Sequence, residues 1–518
     1  MTVVQGLWVK GPLSRIERLS IESFVRNGHE YHLYTYDDSE YRLPPGAIQK
    51  DAGEIVPRDK VWQHGFGEEA GSLAGFSDYF RFTLLFEKGG IWADADLVCL
   101  RPLSVDRPLY ISAETARPGI EQPSTQLLKF PKGDDLLKRA IEYIESQDPG
   151  QIEFLQVGPR LIHRLVDEMG YGAHVLPAKV ANPVPWWQYY VMFLGEHAPR
   201  LSEMQADPDV CCVHLWNEMI RRLEIPKDAS LDPQSPIERL CARYAVSRPD
   251  PVSTTDARMI RARMLFAEAT SEFDRETAPA FGAGVWQEVI DLDPGYHDVY
   301  RRLAMLCAGA EDLAELERRI DAAPGEIATH PLVMIDLSRA HARVGSPETS
   351  DRLLDLAARH ALERLPSMIG SVFLERFRRR DLARIEDLFA ALPEEVKAQP
   401  DVLFAVARTR FARSDYDDAL RIGERVIALD PRYLNGHTLV AEILLKLGRA
   451  DEAERHAIMA TEAWPRPWPW KVLGRIYLAK GLQDEARAAF LKCREFGGDD
   501  RAVREALDVL PNRSASAG

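Results

Sequence analysis

Four ionisable side chains lie close together between residues 77 and 98, in a pattern that could bind a metal ion. Asp78 and Arg81 stand near each other on a predicted helix, and Asp94 and Asp96 follow a double glycine inside an apolar segment. Carboxylates among apolar residues are costly to bury, and a hard divalent cation compensates their charge. Oxygen ligands favour Mg²⁺ or Mn²⁺ over zinc. Such an ion can also bind phosphate oxygens and stabilise a departing diphosphate.

The alternative interpretation of the aspartate pair is a strand-end turn with two solvated side chains, since D-x-D tripeptides are common. The surroundings favour a functional site. The helix that carries Ser77 is predicted to end at Gly89-Gly90, and the apolar run at 91–100 then delivers both acids within three residues. We therefore interpret the pair as part of a binding site.

The sequence SDYFR at 77–81, followed by GGIWADAD at 89–96, resembles the sugar-binding D-x-D region of glycosyltransferase family 32. The resemblance covers roughly residues 2–220 and is strongest at 77–103. It implies an α/β GT-A-like (Rossmann-like) nucleotide-sugar domain, a UDP- or GDP-sugar donor, Mn²⁺ or Mg²⁺, and transfer with retention of anomeric configuration.

The resemblance also implies roles for individual side chains. Asp96 would be a direct metal ligand, and Asp94 would help to hold the metal and contact the ribose or donor sugar. Ser77, Asp78 and Arg81 would bind donor-sugar hydroxyls and phosphate. Catalysis would then depend on the two aspartates of the D-x-D pair together with the acid and the arginine of the helix.

The first predicted strand resembles the family segment that holds the nucleobase, which implies that Leu7 and Trp8 contact the base. Lys10 departs from the glycine often found there. The alternative for Trp8 is a core aromatic residue on a central strand.

Three further segments resemble the family less closely. Gly158 opens a predicted helix and would lie near the donor, or it is a plain helix start. His214 follows an apolar run and would be a further metal or diphosphate ligand, or it is structural. Trp186 and Trp187 could stack on an acceptor sugar, although a packed loop is the simpler interpretation.

The second half of the sequence repeats with a period typical of tetratricopeptide repeats. Ala419, Ala453 and Ala486 follow acidic pairs and are separated by 34 and 33 residues, and Pro431 and Pro465 are 34 apart. This spacing predicts an all-α solenoid of paired helices, which recruits a protein partner or presents the acceptor. A generic helical bundle is the alternative.

The two patterns divide the chain. We expect a GT-A glycosyltransferase domain at 1–245, a linker at 246–256, tetratricopeptide-like helical repeats at 257–512 and a disordered tail at 513–518. Strands are predicted at 3–9, 31–36 and 109–113, and helices at 14–27 and 73–88.

Composition excludes several classes of protein. A net charge of −15 without a Lys/Arg block argues against nucleic acid binding. The six cysteines form no C-x-x-C pair, which argues against a zinc cluster. The sequence contains no apolar stretch of about 18 residues, so it predicts no transmembrane segment. With no signal peptide at 1–10, we expect a cytoplasmic protein that reaches a membrane only through partners.

The sequence therefore predicts a metal-dependent retaining hexosyltransferase that acts on a glycan or protein acceptor, for example in polysaccharide biosynthesis. No motif identifies a carboxylate nucleophile, so the hypothesis is front-face attack with the departing phosphate taking the acceptor proton. The alternative is a non-catalytic sugar-nucleotide-binding or scaffold protein that acts through its repeats.

Overall fold

The structure is a computed structural model of the 518-residue chain. It describes residues 2–36, 41–64, 71–103, 106–147, 149, 152, 155–223, 225–229, 231–246, 254–271, 279–431, 433–463 and 466–510. The chain forms two compact units, Met1–Val299 and Tyr300–Gly518. Residues 257–299, which the sequence analysis assigns to the repeats, therefore belong to the first unit in this division. The predicted tail at 513–518 lies outside the described residues, as does most of the predicted linker.

The first unit contains a mixed sheet and a small second sheet. Its strands are β1 (Thr2–Trp8), β2 (His29–Thr35), β3 (Ala47–Asp51), β4 (Gly90–Ala93), β5 (Leu97–Cys99), β6 (Tyr110–Arg117), β7 (Ile120–Phe130) and β8 (Cys212–His214). The order in the six-stranded sheet is β3-β2-β1-β4-β7-β6, and β5 pairs with β8. The predicted strands at 3–9, 31–36 and 109–113 are thus present, with boundaries shifted by a few residues.

Strand direction places two strand ends at the same edge of the large sheet. β1 is parallel to β2 and to β4, whereas β4 is antiparallel to β7. Because β1 and β4 are parallel neighbours, their carboxyl ends, at Trp8 and Ala93, lie at the same edge. The apolar run at 91–100 does not form one strand, since it passes from β4 in the large sheet to β5 in the small one. The turn between them carries both aspartates of the D-x-D pair.

The first unit also contains α-helices, and the first, second and fourth of them pack on its strands. They are α1 (Arg15–Arg26), α2 (Ala74–Lys88), α3 (Asp135–Glu145), α4 (Pro159–Met169), α5 (Ala198–Ala206), α6 (Asn217–Arg222), α7 (Pro236–Arg243), α8 (Thr254–Thr270) and α9 (Gly284–Leu292). The predicted capping box is present at the start of α1, where Ser14 and Glu17 bond each other's backbone N–H groups.

Helix α2 ends where the sequence predicts, and its end delivers the chain into β4. Phe76 and Phe80, one turn apart, are fully buried on its inner face. Gly89 has φ +70°, and its N–H donates to the Leu85 carbonyl. A Cβ on Gly89 would lie 2.8 Å from the backbone nitrogen of Lys132. Both the left-handed conformation and this close approach therefore require glycine.

The second unit is helical throughout its described residues. Its helices are α10 (His297–Leu306, which crosses the division), α11 (Ala310–Ala322), α12 (Gly325–Ala328), α13 (Pro331–Arg343), α14 (Pro347–Arg364), α15 (Ile369–Arg378), α16 (Leu382–Ala391), α17 (Glu394–Lys397), α18 (Pro400–Ala412), α19 (Tyr416–Leu429), α20 (Leu434–Lys446), α21 (Ala450–Ala463), α22 (Pro467–Ala479), α23 (Gln483–Glu495) and α24 (Arg501–Val509).

Consecutive helices pack as antiparallel pairs, most extensively α13 with α14, α18 with α19, α20 with α21 and α22 with α23. Ala419, Ala453 and Ala486 occupy the equivalent position in the second helix of three successive pairs, and all are fully buried. These small side chains let the paired helices approach closely, as the repeat spacing predicts. Pro465 lies outside the described residues. Among the described helices, none combines the length and the apolar character that crossing a bilayer requires.

Two histidines connect the helices of one pair. His437 on α20 and His456 on α21 have their Nδ1 atoms 3.0 Å apart, and Nε2 of His437 lies 2.8 Å from the Pro431 carbonyl oxygen. Since Nε2 must donate to that carbonyl, neutral His437 accepts at Nδ1 and His456 donates to it. Burial lowers the pKa of both histidines, and their mutual repulsion when charged further lowers that of His456.

We predict that this pair makes stability depend on pH. A histidine whose folded pKa is lowered contributes fully above its unfolded pKa of about 6.5, and stability is lost as the pH falls below that value. Urea denaturation at pH 7.5 and 5.5 should show a larger loss for the native chain than for a His437→Gln/His456→Gln double variant. His163→Gln, at a side chain that is 46% exposed, is the control. Equal losses in all three chains would contradict the prediction.

Candidate metal centre

Three side chains from separate strand ends meet at one point of the first unit. Asp94 follows β4, Asp96 precedes β5, and His214 ends β8. One ligand atom from each lies within 4.8 Å of the others. The meeting is fixed by the small sheet, in which Leu97 pairs directly with His214. The sequence analysis predicted all three as metal ligands, and the fold brings them together.

Asp96 is held in its charged form by several donors. Its Oδ2 lies 3.3 Å from Nε2 of His214 and accepts the backbone N–H of Asn217 at 2.8 Å. Burial raises the pKa of this carboxyl, but His214, the Asn217 N–H and the charge of Lys227 together hold it below its usual range. A carboxylate kept ionised in this way is suited to bind a cation.

His214 is positioned by packing and has one unused nitrogen. Its ring lies 4.2 Å from the ring of Trp216, centroid to centroid. Burial lowers its pKa, but the neighbouring Asp96 charge and hydrogen bond outweigh burial and raise it. Its Nδ1 is buried with no hydrogen-bond partner among the described residues. Trp216 has φ +54°, a conformation that costs energy for a bulky side chain and is found at functional sites.

Asp94 links the metal-ligand cluster to the arginine of α2. Its Oδ1 accepts Nε1–H of Trp92 at 2.8 Å and lies 3.1 Å from Nη2 of Arg81. Its backbone N–H donates to the Gln126 carbonyl on β7. Burial raises the pKa of Asp94, although the Arg81 charge opposes this. Its side chain is still 22% exposed, so an incoming ligand can reach it.

Arg81 uses its donors to join three elements. Nη1 donates to the Thr125 carbonyl at 2.8 Å, and Nη2 donates to Oγ of Ser77 at 2.9 Å. Its guanidinium carbon lies 5.0 Å from the centre of the Trp92 ring. Nη1 is also 3.4 Å from Oδ1 of Asp78. The positive charge of Arg81 is thus shared between Asp78 and Asp94.

Asp78 is almost completely buried beside a glycine. Its Oδ1 accepts the Thr125 hydroxyl at 3.0 Å. Burial raises its pKa to about 6, against the opposing charge of Arg81. Gly158, the residue before α4, faces the other oxygen so closely that a Cβ would lie 2.1 Å from Oδ2. This contact explains why glycine stands at a helix start that a side-chain cap would stabilise better.

The predicted nucleobase residues have different environments. The Leu7 side chain is buried in the core, so only its backbone can meet a ligand. Trp8 is half-buried, and Nζ of Lys227 lies 5.5 Å from its ring centre. Nζ of Lys227 is also 3.0 Å from the buried carboxylate of Glu17. An ammonium group therefore covers one face of the Trp8 ring.

The two adjacent tryptophans of the predicted acceptor platform also differ in their exposure to solvent. Trp187 is only 8% exposed and packs in the core, which is the simpler of the two interpretations. Trp186 is 37% exposed, and its Nε1–H donates to the Ala116 carbonyl at the end of β6. Only Trp186 presents a ring to solvent.

Sequence reasoning missed several residues that shape this site. Thr125, Asn217, Glu114 and Lys227 contact it or act on it electrostatically. Thr125 is 47 residues from its partner Asp78, and Asn217 donates through its backbone. Neither contact leaves a local sequence signal. Trp92 lies inside the D-x-D motif region, so its hydrogen bond to Asp94 could have been predicted from the sequence.

The arrangement fits a hard divalent cation. Two carboxylates and one imidazole converge, and the carboxylate oxygens are the ligands that suit Mn²⁺ or Mg²⁺. The neighbouring Asp78, Arg81 and Ser77 offer an acid, a guanidinium and a hydroxyl, which are the groups that bind polyols and phosphates. Chemically, the site can therefore hold a cation beside a hydroxyl-rich, negatively charged ligand.

Comparisons with known proteins identify repeats in the second unit. The tetratricopeptide repeat family matches residues 410–467, which confirms repeats in this part of the predicted 257–512 stretch. No curated protein sequence matches the chain. The remaining similarities are to solved structures of low identity.

A thermophilic tetratricopeptide repeat protein of Thermus thermophilus is 17% identical, with a TM-score of 0.30, over 34% of this chain and 97% of its own. Yeast Tom70 is 13% identical, with a TM-score of 0.41, over 72% of this chain and 77% of its own. PaToxG glycosyltransferase is 15% identical, with a TM-score of 0.26, over 33% of this chain and 70% of its own.

We predict that Gly158→Ala destabilises the first unit. The added Cβ would displace the Asp78 carboxylate from its Thr125 and Arg81 partners, and overpacking of this kind costs about 1–3 kcal/mol. Urea denaturation measures the loss. Gly172→Ala is the matched control, because nothing lies within 4 Å of its added Cβ. It should change the free energy of unfolding by less than about 0.5 kcal/mol. Equal effects of the two substitutions would show that the Asp78 contact is unimportant.

Proposed function

We propose that the first unit is a metal-dependent glycosyltransferase that uses a nucleotide-sugar donor. The observation that carries the proposal is the convergence of Asp94, Asp96 and His214 within 4.8 Å, next to the Asp78–Arg81 pair. A metal-ligand cluster beside a buried acid–guanidinium pair matches the needs of a sugar linked to a diphosphate. The mixed sheet, with parallel strands ending at this edge, is compatible with a GT-A-like domain.

In this proposal each side chain has a separate task. Asp94, Asp96 and His214 would hold the cation, and Asp94 would also pair with Arg81. A bound Mn²⁺ or Mg²⁺ supplies positive charge to the leaving diphosphate. Arg81 and Asp78 orient the donor sugar, with Ser77 and Thr125 fixing the arginine and the acid in turn.

Retention of configuration is the expected outcome, by front-face attack in which the acceptor proton passes to a departing phosphate oxygen. Preorganised donors at the site, rather than a covalent intermediate, then provide most of the acceleration. UDP- and GDP-sugars are both candidate donors, and a glycan or a protein is the acceptor. Trp186, with its ring open to solvent, is the candidate acceptor platform.

The second unit supports a protein-binding role, because tetratricopeptide repeats bind protein partners. Under the main proposal the repeats recruit a partner or the acceptor for the transferase. The second candidate function is a scaffold that acts through these repeats while the first unit binds a sugar nucleotide without turnover. The family match favours this candidate as strongly as the first, so an assay of turnover must separate the two.

We predict that the chain releases nucleoside diphosphate slowly from one member of a UDP- and GDP-sugar panel, and only with Mn²⁺ or Mg²⁺. Asp96→Asn should lower this rate at least about 100-fold, because it removes the charge of a direct metal ligand. Coupled detection of released UDP or GDP measures the rate, and thermal unfolding verifies that the variant folds.

Asp167→Asn is the control, since this side chain is 74% exposed on α4 and pairs only with His163 among the described residues. Its rate should equal that of the native chain. Release that persists in Asp96→Asn would remove the metal-ligand role. An absence of release from every donor, with a donor still raising the thermal midpoint in Mn²⁺, would instead favour the scaffold.

A further inference from the structure

Two of the six cysteines face each other across the small sheet. Cys99 ends β5, Cys212 begins β8, and the two residues are direct partners in the antiparallel ladder. Both side chains are fully buried. Their thiols are also joined to each other by a hydrogen bond. The two sulfur atoms are therefore neighbours although they are 113 positions apart in the chain, from 99 to 212.

The hydrogen-bonding pattern of the ladder favours a covalent bond between these sulfurs. Leu100 donates its backbone N–H to the Cys211 carbonyl at 2.8 Å, so this adjacent pair is hydrogen-bonded. Because the two kinds of pair alternate in an antiparallel ladder, Cys99 and Cys212 form a non-hydrogen-bonded pair. The Cα atoms of such a pair are about 4.5 Å apart, within the range of about 4.4–6.8 Å that a disulfide needs.

Cys99 is held in place by its own backbone. Its N–H donates to Oγ of Ser23 at 2.8 Å. Its carbonyl accepts the Tyr244 hydroxyl at 2.6 Å and the side-chain amide of Asn27 at 3.0 Å. Helix α1 and the residue after α7 thus fix the end of β5. A bond from Cys99 to Cys212 therefore needs little movement of the backbone.

A histidine beside Cys99 makes its sulfur more reactive. Nε2 of His29 accepts the Leu103 N–H at 3.0 Å, so neutral His29 carries its proton on Nδ1. That nitrogen is buried and has no hydrogen-bond partner among the described residues. Burial raises the pKa of Cys99, but the Cys212 thiol and His29 outweigh burial and hold it below its usual range. The thiolate is the form of cysteine that attacks an oxidant.

We propose that Cys99 and Cys212 are a reversible disulfide site that is oxidised by a peroxide. The Cys99 thiolate attacks one peroxide oxygen, the O–O bond breaks, and the released hydroxide takes up the proton that Cys99 had lost and leaves as water. The Cys212 thiol then attacks the resulting sulfenic acid, the S–S bond forms, and hydroxide leaves with the Cys212 proton as a second water. Two electrons pass from the sulfurs to the peroxide.

Burial decides which oxidant can act and which cysteine competes. Neither sulfur of the pair is exposed, so the oxidant is small, and local opening of the short ladder admits it. Cys211, the next residue along the chain, is partly exposed, and its thiol lies 3.8 Å from the Asp209 carbonyl oxygen. The proposal assigns the bond to Cys212 and not to Cys211. It is independent of metal binding and of glycosyl transfer.

Peptide mapping of the full-length chain tests the bond directly. The reduced chain is freed of reductant and treated with hydrogen peroxide, its remaining thiols are blocked with N-ethylmaleimide, and a tryptic digest is analysed by mass spectrometry. The peptide with Cys99 should be linked to the peptide that carries both Cys211 and Cys212. Dithiothreitol should separate the two. A folded native chain that gives no such link, or a link that dithiothreitol does not break, would overturn the proposal.

Three variants identify the sulfurs. Cys211→Ser is the matched control, because it removes the partly exposed neighbour, and it should keep the link. Cys99→Ala and Cys212→Ala should both lose it. A link that persists in Cys212→Ala, or that disappears in a folded Cys211→Ser chain, would assign the bond to Cys211 and contradict the proposal.

Hydrogen exchange in the native chain gives a second measurement that needs no variant. The new bond should block local opening of the ladder, so the amides of β5 and β8 should exchange at least about tenfold more slowly after oxidation. Dithiothreitol should restore the original rates. Peroxide-treated Cys212→Ala controls for oxidation elsewhere and should show no change in these strands. Unchanged or faster exchange in the linked native chain would show that the bond distorts the ladder, which is incompatible with a site built for it.

Discussion

The first unit depends on how the positive charge of Arg81 is divided among buried acids. Asp78 and Asp94 flank this guanidinium, and both acids have pKa values raised by burial. Of the two, Asp94 also feels the charge of Asp96, which His214 and the Asn217 N–H keep ionised. Acids that are individually costly to bury are thus tolerated only as a group. Under the proposed function, this group would exchange its internal partners for a cation and a polar ligand.

Local sequence signals predicted the parts of this site that are close in the chain. The capping box of α1, the glycine stop of α2 and the D-x-D turn all follow from residues within one turn of helix or strand. The sequence could not show that the chain passes from the large sheet to the small sheet at the D-x-D turn. An apolar run has the same composition whether its residues belong to one sheet or to two. The contributions of Thr125 and Asn217 could not be predicted for a different reason. Thr125 bonds Asp78, which is distant in the sequence, and Asn217 contributes its backbone N–H.

The second unit was predictable because repetition averages out local ambiguity. A single Asp-Glu-Ala tripeptide predicts nothing, but Ala419, Ala453 and Ala486 at nearly equal spacing predict a shared packing role. What repetition cannot predict is the exception, and Arg408 is one. Arg410, two residues later, pairs with Glu386 and Asp418, whereas the guanidinium of Arg408 lies over the rings of Phe377 on α15 and Trp468 on α22. Only the packed helices bring those rings together.

The two-stranded ladder of β5 and β8 is very short, with three residue pairs from Leu97 to Cys99. Because side chains alternate along a strand, a slip of one residue would turn His214 away from Asp96. An ion bound by both side chains would stabilise this strand register. Part of its binding free energy would therefore offset the cost of keeping the two short strands paired. Ion binding and the pairing of these two strands would then be thermodynamically linked.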